Sequence, residues 1–129
     1  MRKRPLGQNF LVDSEIAHQI IDLANIQPED HVVEIGPGKG VLTGRLLPIT
    51  RSLTAIELDP KLCRELETRF NDNPSFKIIE KDAAKFDYAS LESGFKVVSN
   101  LPYYAATHIM KKLIHFGSRI QSMTLMMQK

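Results

Sequence analysis

The feature that most constrains the fold of this chain is a short apolar strand that runs directly into a glycine-rich turn. Residues 31–35 have the composition of a buried strand, and Gly-Pro-Gly-Lys-Gly follows at residues 36–40. A helix over about residues 41–47 is predicted next, with Leu42 and Leu46 on one face. Because a glycine turn between a strand and a helix lets the backbone approach a ligand closely, the sequence predicts a binding site at this strand end.

Apolar strands and amphipathic helices alternate along the rest of the chain. After the first strand, further strands are predicted over residues 52–56, 76–80, 95–99 and 123–127. This alternation is typical of an α/β fold, and we expect a Rossmann-like, parallel, doubly wound sheet in a single domain. The fifth strand is apolar and ends the sequence, so the domain, residues 1–129, is expected to be truncated after it. An exposed fifth strand also predicts self-association through that edge.

Three of the predicted helices carry a cap or an apolar stripe. Asp13 or Ser14 is predicted to cap the first helix. Pro60 suits the first position of a later helix, with Asp59 as its cap. The predicted apolar stripes are Ile16, Ile20, Leu23 and Ala24 in the first helix, Leu62, Leu66 and Phe70 in the helix from Pro60, and Ile109, Leu113 and Phe116 in a helix over residues 105–116.

Acidic residues follow the second and third strands. A carboxylate at Glu57 can accept hydrogen bonds from both hydroxyls of a ribose, and Asp82 can accept one from an adenine amino group. Val41 stands where the third glycine of a dinucleotide-binding fingerprint would fall. Together with the glycine turn, this ordered set predicts S-adenosylmethionine (SAM) as the cofactor rather than a pyrophosphate cofactor. The alternative is that both acids are helix caps or solvated loop residues.

The tetrapeptide Asn100-Leu101-Pro102-Tyr103 follows the fourth strand. The side-chain oxygen of Asn100 and the carbonyl of Leu101 can accept hydrogen bonds from a primary amine, and Pro102 fixes its own φ. Tyr103 offers a flat face on which a base can stack, while Tyr104 adjoins the pocket and is interpreted as a packing residue rather than a second stacking residue. The combination suits methylation of the exocyclic amine of a nucleobase. An ordinary turn after a strand is the alternative.

Composition excludes several other classes of protein. The 129 residues are 43% hydrophobic and 25% charged, as in ordinary globular domains. Seventeen Lys and Arg residues against 15 Asp and Glu residues are weak evidence for a nucleic-acid partner. No apolar run reaches membrane-spanning length, and a single cysteine, Cys63, fits a reducing cytoplasm. The four His residues show no metal-ligand spacing with Cys63, so no metal is predicted.

Five motifs in a fixed order cover nearly the whole chain. They are Gly7-Gln8-Asn9-Phe10-Leu11, Val33-Glu34-Ile35-Gly36-Pro37-Gly38, Ile56-Glu57-Leu58-Asp59, Lys81-Asp82-Ala83 and Asn100-Leu101-Pro102-Tyr103. In this order and spacing the chain resembles the KsgA-type ribosomal small-subunit RNA adenine dimethyltransferases. Enzymes that modify large-subunit RNA share the layout, but Leu101 is more similar to the KsgA branch.

The resemblance implies a reaction and a role for each motif. Members of the family transfer methyl groups from SAM to N6 of two adjacent adenosines near the 3′ end of small-subunit ribosomal RNA, in ribosome maturation. They continue through two further strands and a small helical domain that helps to engage RNA. The implied SAM contacts are Asn9, Leu11, Gly36, Gly38, Glu57, Asp82 and Asn100, and the implied catalytic residues are Asn100, Leu101, Pro102 and Tyr103.

Two functions from other classes remain as alternatives. One is a ribosome-assembly factor that binds RNA while its catalysis is weak or lost, and the other is an inert cofactor-binding fragment. Lys111, Lys112 and His115 either face RNA or are favoured near a helix C-terminus by the helix dipole. Lys39 either approaches the carboxylate of SAM or points to water.

Overall fold

The computed structural model describes residues 14–128, with side chains described through Met127. Within this part of the chain, strands and helices alternate, and three short 3-10 turns connect them. No helix among these residues has both the length and the apolarity needed to cross a bilayer. In chain order the elements are α1 (Ser14–Ala24), β1 (His31–Ile35), α2 (Val41–Leu46), β2 (Ser52–Glu57), α3 (Pro60–Phe70), β3 (Phe76–Glu80), β4 (Phe95–Pro102), α4 (Tyr103–His115) and β5 (Ile120–Gln128).

The five strands form one parallel sheet in the order β3-β2-β1-β4-β5. The predicted parallel, doubly wound sheet is therefore confirmed. The chain leaves β1 toward β2 on one side and returns to β4 on the other, so the strand order reverses at β1. In open α/β sheets, ligands bind beyond the carboxyl ends of the strands at such a reversal point. The sheet thus places the glycine turn after β1 at the position where a ligand is expected.

A hydrophobic cluster covers each face of the sheet. On one face, Ala17, Ile20 and Ala24 of α1 pack with Leu42 and Leu46 of α2. On the other face, α4 packs against the sheet through Ala106, Ile109 and Leu113, together with Phe86 and Tyr88 from the connection before β4. Helix α3 buries Leu62, Cys63 and Leu66, and Asp59 caps it as predicted by accepting a hydrogen bond from the Lys61 N–H at 2.8 Å.

The predicted stripe of the first helix was wrong at one position. Leu23 is 73% exposed, whereas Ala17 is fully buried. Ala17, Ile20 and Ala24 follow each other at spacings of three and four and therefore lie on one face of the helix. Leu23 lies beside that face, because neighbouring residues of a helix differ in direction by about 100°.

Three predicted boundaries were also wrong. The fourth strand does not end at Ser99, because the pairing with β5 continues residue by residue to Pro102 opposite Gln128. The last strand accordingly starts at Ile120, three residues before the predicted start. Helix α4 begins at Tyr103, directly after the strand, and not at Ala105.

The amino ends of the strands are closed by a buried ion pair. Lys96 Nζ lies 2.7 Å from Asp30 Oδ2, and it also donates to the carbonyl of Asn25 at 2.8 Å. Asp30 Oδ2 accepts a second hydrogen bond from the Gln27 N–H at 2.7 Å. Burial alone would raise the pKa of Asp30, but the hydrogen bond and charge of Lys96 hold that pKa below its ordinary value. The amino end of the sheet is therefore stabilised by an ion pair between two buried residues of this chain.

Candidate functional site

A cavity of about 440 Å³ opens at the carboxyl ends of β1, β2 and β4. Its volume lies within the range of small-molecule binding sites. The residues that line it come from the glycine turn, from the ends of the strands and from the start of α4. They include Glu34, Gly36, Gly38, Lys39, Glu57, Asp59, Lys81, Asp82, Asn100, Leu101, Pro102 and Tyr104.

The glycine turn forms one wall of the cavity, and its conformation requires glycine. Gly36 has a φ of 69°, in the left-handed region that side chains disfavour. A Cβ atom at Gly36 would also lie only 3.1 Å from Cδ2 of Leu101. The Gly36 N–H donates to the carbonyl of Ile56 at 2.9 Å, which ties the turn to β2. The backbone thus reaches the cavity without an intervening side chain.

Glu57 ends β2 at the edge of the cavity and is 9% exposed. Its Oε1 accepts a hydrogen bond from the Gly38 N–H at 3.2 Å, and its Oε2 accepts one from the Asp59 N–H at 3.0 Å. Burial raises the pKa of Glu57, and these N–H donors oppose the rise. The cap of α3 is Asp59, so Glu57 is not a helix cap. The carboxylate is instead fixed beside the glycine turn.

Asp82 follows β3 and lines the cavity from the neighbouring strand end. Its Oδ1 accepts a hydrogen bond from the Ala84 N–H at 2.9 Å, which closes a local turn. This carboxylate therefore has the loop role that was considered as the alternative, and it also lines the cavity. The two roles are compatible because a carboxylate has two oxygens.

Asn100, Leu101 and Pro102 form the last residues of β4 and line the cavity beside the glycine turn, since β4 pairs with β1. The strand, and not a turn after it, holds them in place. Tyr104 lines the cavity, as expected of a residue beside the pocket, but it is 56% exposed, so its interpretation as a packing residue was wrong. Tyr103 is 59% exposed and is not among the residues that line the cavity. Consecutive residues of α4 point about 100° apart, and here the second ring faces the cavity.

Glu34 was overlooked in the sequence. It lies within β1, is 2% exposed and lines the cavity. The hydroxyl of Thr43, in α2, donates to Glu34 Oε1 at 2.6 Å. Burial raises the pKa of Glu34 to about 8, and the nearby charge of Glu57 adds to the effect. An acidic residue inside an apolar strand was the signal that could have identified it.

The cavity carries more acidic than basic side chains. Glu34, Glu57, Asp59 and Asp82 line it, against the basic side chains of Lys39 and Lys81 among the described residues. Buried carboxylates favour a ligand that carries positive charge and disfavour a pyrophosphate. Among residues 14–128, no three His, Cys, Asp or Glu side chains are placed to bind a metal ion.

The remaining predicted site residues are divided between the cavity and the undescribed part of the chain. Gly36, Gly38, Glu57, Asp82, Asn100, Leu101 and Pro102 come together around one space. Asn9 and Leu11 lie outside the described residues. Of the predicted set within the described residues, Tyr103 alone stands outside the cavity lining.

The whole sequence matches the model of a known protein family. A family model described as ribosomal RNA adenine dimethylase matches residues 1–129. The chain is 42% identical over 129 residues to the ribosomal RNA small subunit methyltransferase A of Clostridium perfringens (strain SM101), covering 98% of the chain and 45% of the relative. It is 44% identical over 128 residues to the protein of that name from Prosthecochloris aestuarii, covering 98% of the chain and 48% of the relative. The chain thus spans about half the length of these curated relatives.

Solved structures agree with the fold. A dimethyladenosine transferase from Plasmodium falciparum superposes with a TM-score of 0.81 and 30% identity, covering 94% of this chain and 44% of that one. The 23S rRNA methyltransferase ErmE superposes with a TM-score of 0.80 and 26% identity, covering 93% of this chain and 48% of that one. Sequence and structure therefore point to the same group of proteins.

Proposed function

This chain belongs to the ribosomal RNA adenine dimethylase family, and on that premise we propose that it binds SAM and transfers methyl groups to N6 of adenosines in small-subunit ribosomal RNA. The single observation that carries the proposal is the cavity, because it brings the glycine turn, Glu57, Asp82 and Asn100 around one space. The glycine turn and Glu57 would hold the cofactor, and the end of β4 would hold the substrate amine.

The charges of the cavity support SAM over a dinucleotide. SAM carries a sulfonium and an ammonium group against one carboxylate, whereas a dinucleotide carries a pyrophosphate. Glu34 and Glu57 are buried carboxyl groups that a cationic ligand would stabilise in their charged form. Glu57 would accept hydrogen bonds from the ribose hydroxyls, and Asp82 would accept one from the adenine amine. When bound, the cofactor supplies a methyl group on a positively charged sulfur.

The end of β4 supplies the chemistry at the substrate. The amine of adenine is a poor nucleophile because its lone pair is delocalised into the ring. Hydrogen bonds from this amine to the Asn100 side-chain oxygen and the Leu101 carbonyl would favour a pyramidal nitrogen as positive charge develops. Pro102 holds the backbone direction at this point. Holding the nitrogen in line with the methyl group adds a proximity effect.

The target adenosine must leave its stack to enter the cavity. Tyr104 lies at the cavity and Tyr103 lies beside it on α4, both more than half exposed. We assign Tyr103 to stacking on the base at the entrance, and Tyr104 provides a second aromatic face on the cavity wall. Small-subunit RNA is favoured as substrate because the relatives named for that subunit are 42–44% identical to the chain, against 26% for the large-subunit enzyme ErmE.

The proposal is tested by the variant Asn100→Ala. Its methyl transfer from labelled SAM to small ribosomal subunits is expected to fall by about 100-fold or more, since a donor or acceptor aimed at developing charge is commonly worth that much. SAM affinity is expected to change far less, because the glycine turn and Glu57 remain. Asn71→Ala, at the exposed end of α3, is the matched control and should keep full transfer.

Turnover that survives in Asn100→Ala would remove Asn100 from the reacting centre. Tight binding of ribosomal particles by the unaltered chain without methyl transfer would instead favour the assembly-factor alternative. Phosphate-driven binding falls steeply with salt, so a titration across salt concentrations would show how much of that binding is electrostatic.

A further inference from the structure

The last turn of α3 reaches across to the glycine turn through Arg69. Arg69 Nη1 donates a hydrogen bond to the backbone carbonyl of Lys39 at 2.7 Å. The guanidinium also lies over the ring of Phe70, with Cζ 4.9 Å from the ring centroid. An Arg over an aromatic face is held in direction as well as in distance. One side chain from outside the cavity thus contacts the backbone of the cavity wall.

Two glycines lie beside the guanidinium of Arg69, and at one of them, Gly40, a side chain would crowd it. A Cβ atom at Gly40 would lie 3.2 Å from Arg69 Nη1 and 2.8 Å from Cδ2 of Leu66. A Cβ atom at Gly44 would lie 3.6 Å from Arg69 Nη2. Gly44 stands inside the short helix α2, where glycine is disfavoured relative to alanine, and a Cβ there would make ordinary van der Waals contact with the guanidinium.

The carbonyl that Arg69 contacts lies between the two functional ends of the turn. On one side of Lys39, the Gly38 N–H donates to Glu57. On the other side, Gly40 has a φ of 87° and its N–H donates to the carbonyl of Pro37 at 2.9 Å. The Lys39 carbonyl and the Gly40 N–H belong to the same peptide group, so the hydrogen bond from Arg69 holds the peptide that closes the turn onto Pro37.

We propose that Arg69 is a positioning residue for the cofactor site. Its guanidinium holds the glycine turn in the shape that binds the ligand before the ligand arrives, so that less conformational freedom is lost on binding. The identity of the ligand rests on the proposed function, but the effect on the turn does not.

Because Arg69 is exposed, its role in positioning the glycine turn can be measured separately from any role in global stability. An exposed side chain that makes one hydrogen bond at the surface contributes little to the free energy of unfolding. Its loss is expected to loosen the turn locally, since loops can open without unfolding the domain. Arg64, exposed on the same helix, does not line the cavity and provides the matched control.

The test compares Arg69→Ala with Arg64→Ala in two measurements. In the ligand-free protein, the backbone amides of residues 38–44 are expected to exchange hydrogen about fivefold faster or more in Arg69→Ala, while the core strands exchange as before. The dissociation constant for SAM is expected to rise about 3- to 10-fold, as for the loss of one hydrogen bond. Arg69→Lys should restore part of both effects, since an ammonium can donate to the same carbonyl but does not fill the space beside the glycines.

Equal exchange over residues 38–44 in Arg69→Ala and Arg64→Ala would overturn the proposal. Faster exchange spread evenly over all strands would also overturn it, because that result describes a structural role. If the unaltered chain does not bind SAM, the proposed cofactor is wrong, and the exchange comparison alone still decides the role of Arg69.

Discussion

At the amino end of the sheet, buried Lys96 lies 2.7 Å from buried Asp30, whereas at the carboxyl end buried Glu34 and Glu57 form no ion pair with a Lys or Arg of the described residues. Among the described residues, the hydrogen-bond donors to these two carboxyl groups are a hydroxyl and two backbone N–H groups. The pKa of Asp30 is lowered and the pKa values of Glu34 and Glu57 are raised, in keeping with this difference.

The difference indicates that the amino end of the sheet contributes to stability and the carboxyl end to ligand binding. A buried charge with an internal partner is compensated in the ligand-free protein. A buried carboxyl group without one favours its neutral form and gains most from a cationic ligand. Substitutions at the amino end should therefore lower stability, and those at the carboxyl end should lower affinity.

The largest effect is expected at the amino end, in Lys96→Met. Removing one partner leaves Asp30 buried without its cation, and such losses cost about 3–5 kcal/mol in the free energy of unfolding. Urea unfolding measures the loss. Lys77→Met is the matched control, because Lys77 is also the second residue of its strand but is exposed. A loss in Lys96→Met no greater than in the control would show that the ion pair does not stabilise this end.

A smaller effect, on binding rather than on stability, is expected in Glu57→Gln. The amide can accept at its oxygen only, so SAM affinity should fall about 10- to 100-fold, as for a lost charge-assisted hydrogen bond. Calorimetric titration measures the affinity, with Glu65→Gln on the exposed side of α3 as control. A large drop in the unfolding free energy, with affinity unchanged, would contradict the division between the two ends.

The most gradual effect, spread over several pH units rather than produced by one substitution, is a pH dependence that arises from Glu34. Its pKa is about 8 in the folded chain against an ordinary value of 4.5, so only the unfolded chain ionises as pH rises between these values. The stabilisation that neutral Glu34 contributes is therefore complete below about pH 4.5. Above that pH the free energy of unfolding falls by at most ~1.4 kcal/mol per pH unit, up to about pH 8. Urea unfolding at several pH values should show this slope reduced in Glu34→Gln.

Glu80→Gln provides the control for that slope. Glu80 is exposed at the end of β3, and its replacement makes the same chemical change at a surface position. The difference between the two variants isolates Glu34 from the other groups that titrate in this range. Equal slopes in Glu34→Gln and Glu80→Gln would mean that Glu34 is charged in the folded protein.

Much of the fold could be predicted because its signals are local. The strands at residues 31–35 and 76–80, the cap at Asp59 and the parallel order of the sheet follow from apolar runs and capping chemistry in short stretches of sequence. The convergence of Gly36, Glu57 and Asn100 followed from the rule that parallel strands end at one edge.

The errors occurred where contacts between distant parts of the chain determine the local structure. The extension of β4 to Pro102 depends on pairing with β5, which follows a whole helix later. That extension moves the start of α4 to Tyr103 and turns Tyr104 toward the cavity. Whether Leu23 or Ala17 faces the sheet depends on how α1 docks, and the helix pattern alone permits both. The role of Glu34 could be recognised only after its burial was known from the structure.

The most direct test of the central claim is a calorimetric titration of this chain with SAM, with NAD titrated in parallel. Carboxyl groups at the open end of the sheet should accept the cationic cofactor and reject the pyrophosphate. The account predicts saturable binding of SAM and no binding of NAD. Binding of NAD, or no binding of SAM by the folded chain, would contradict it.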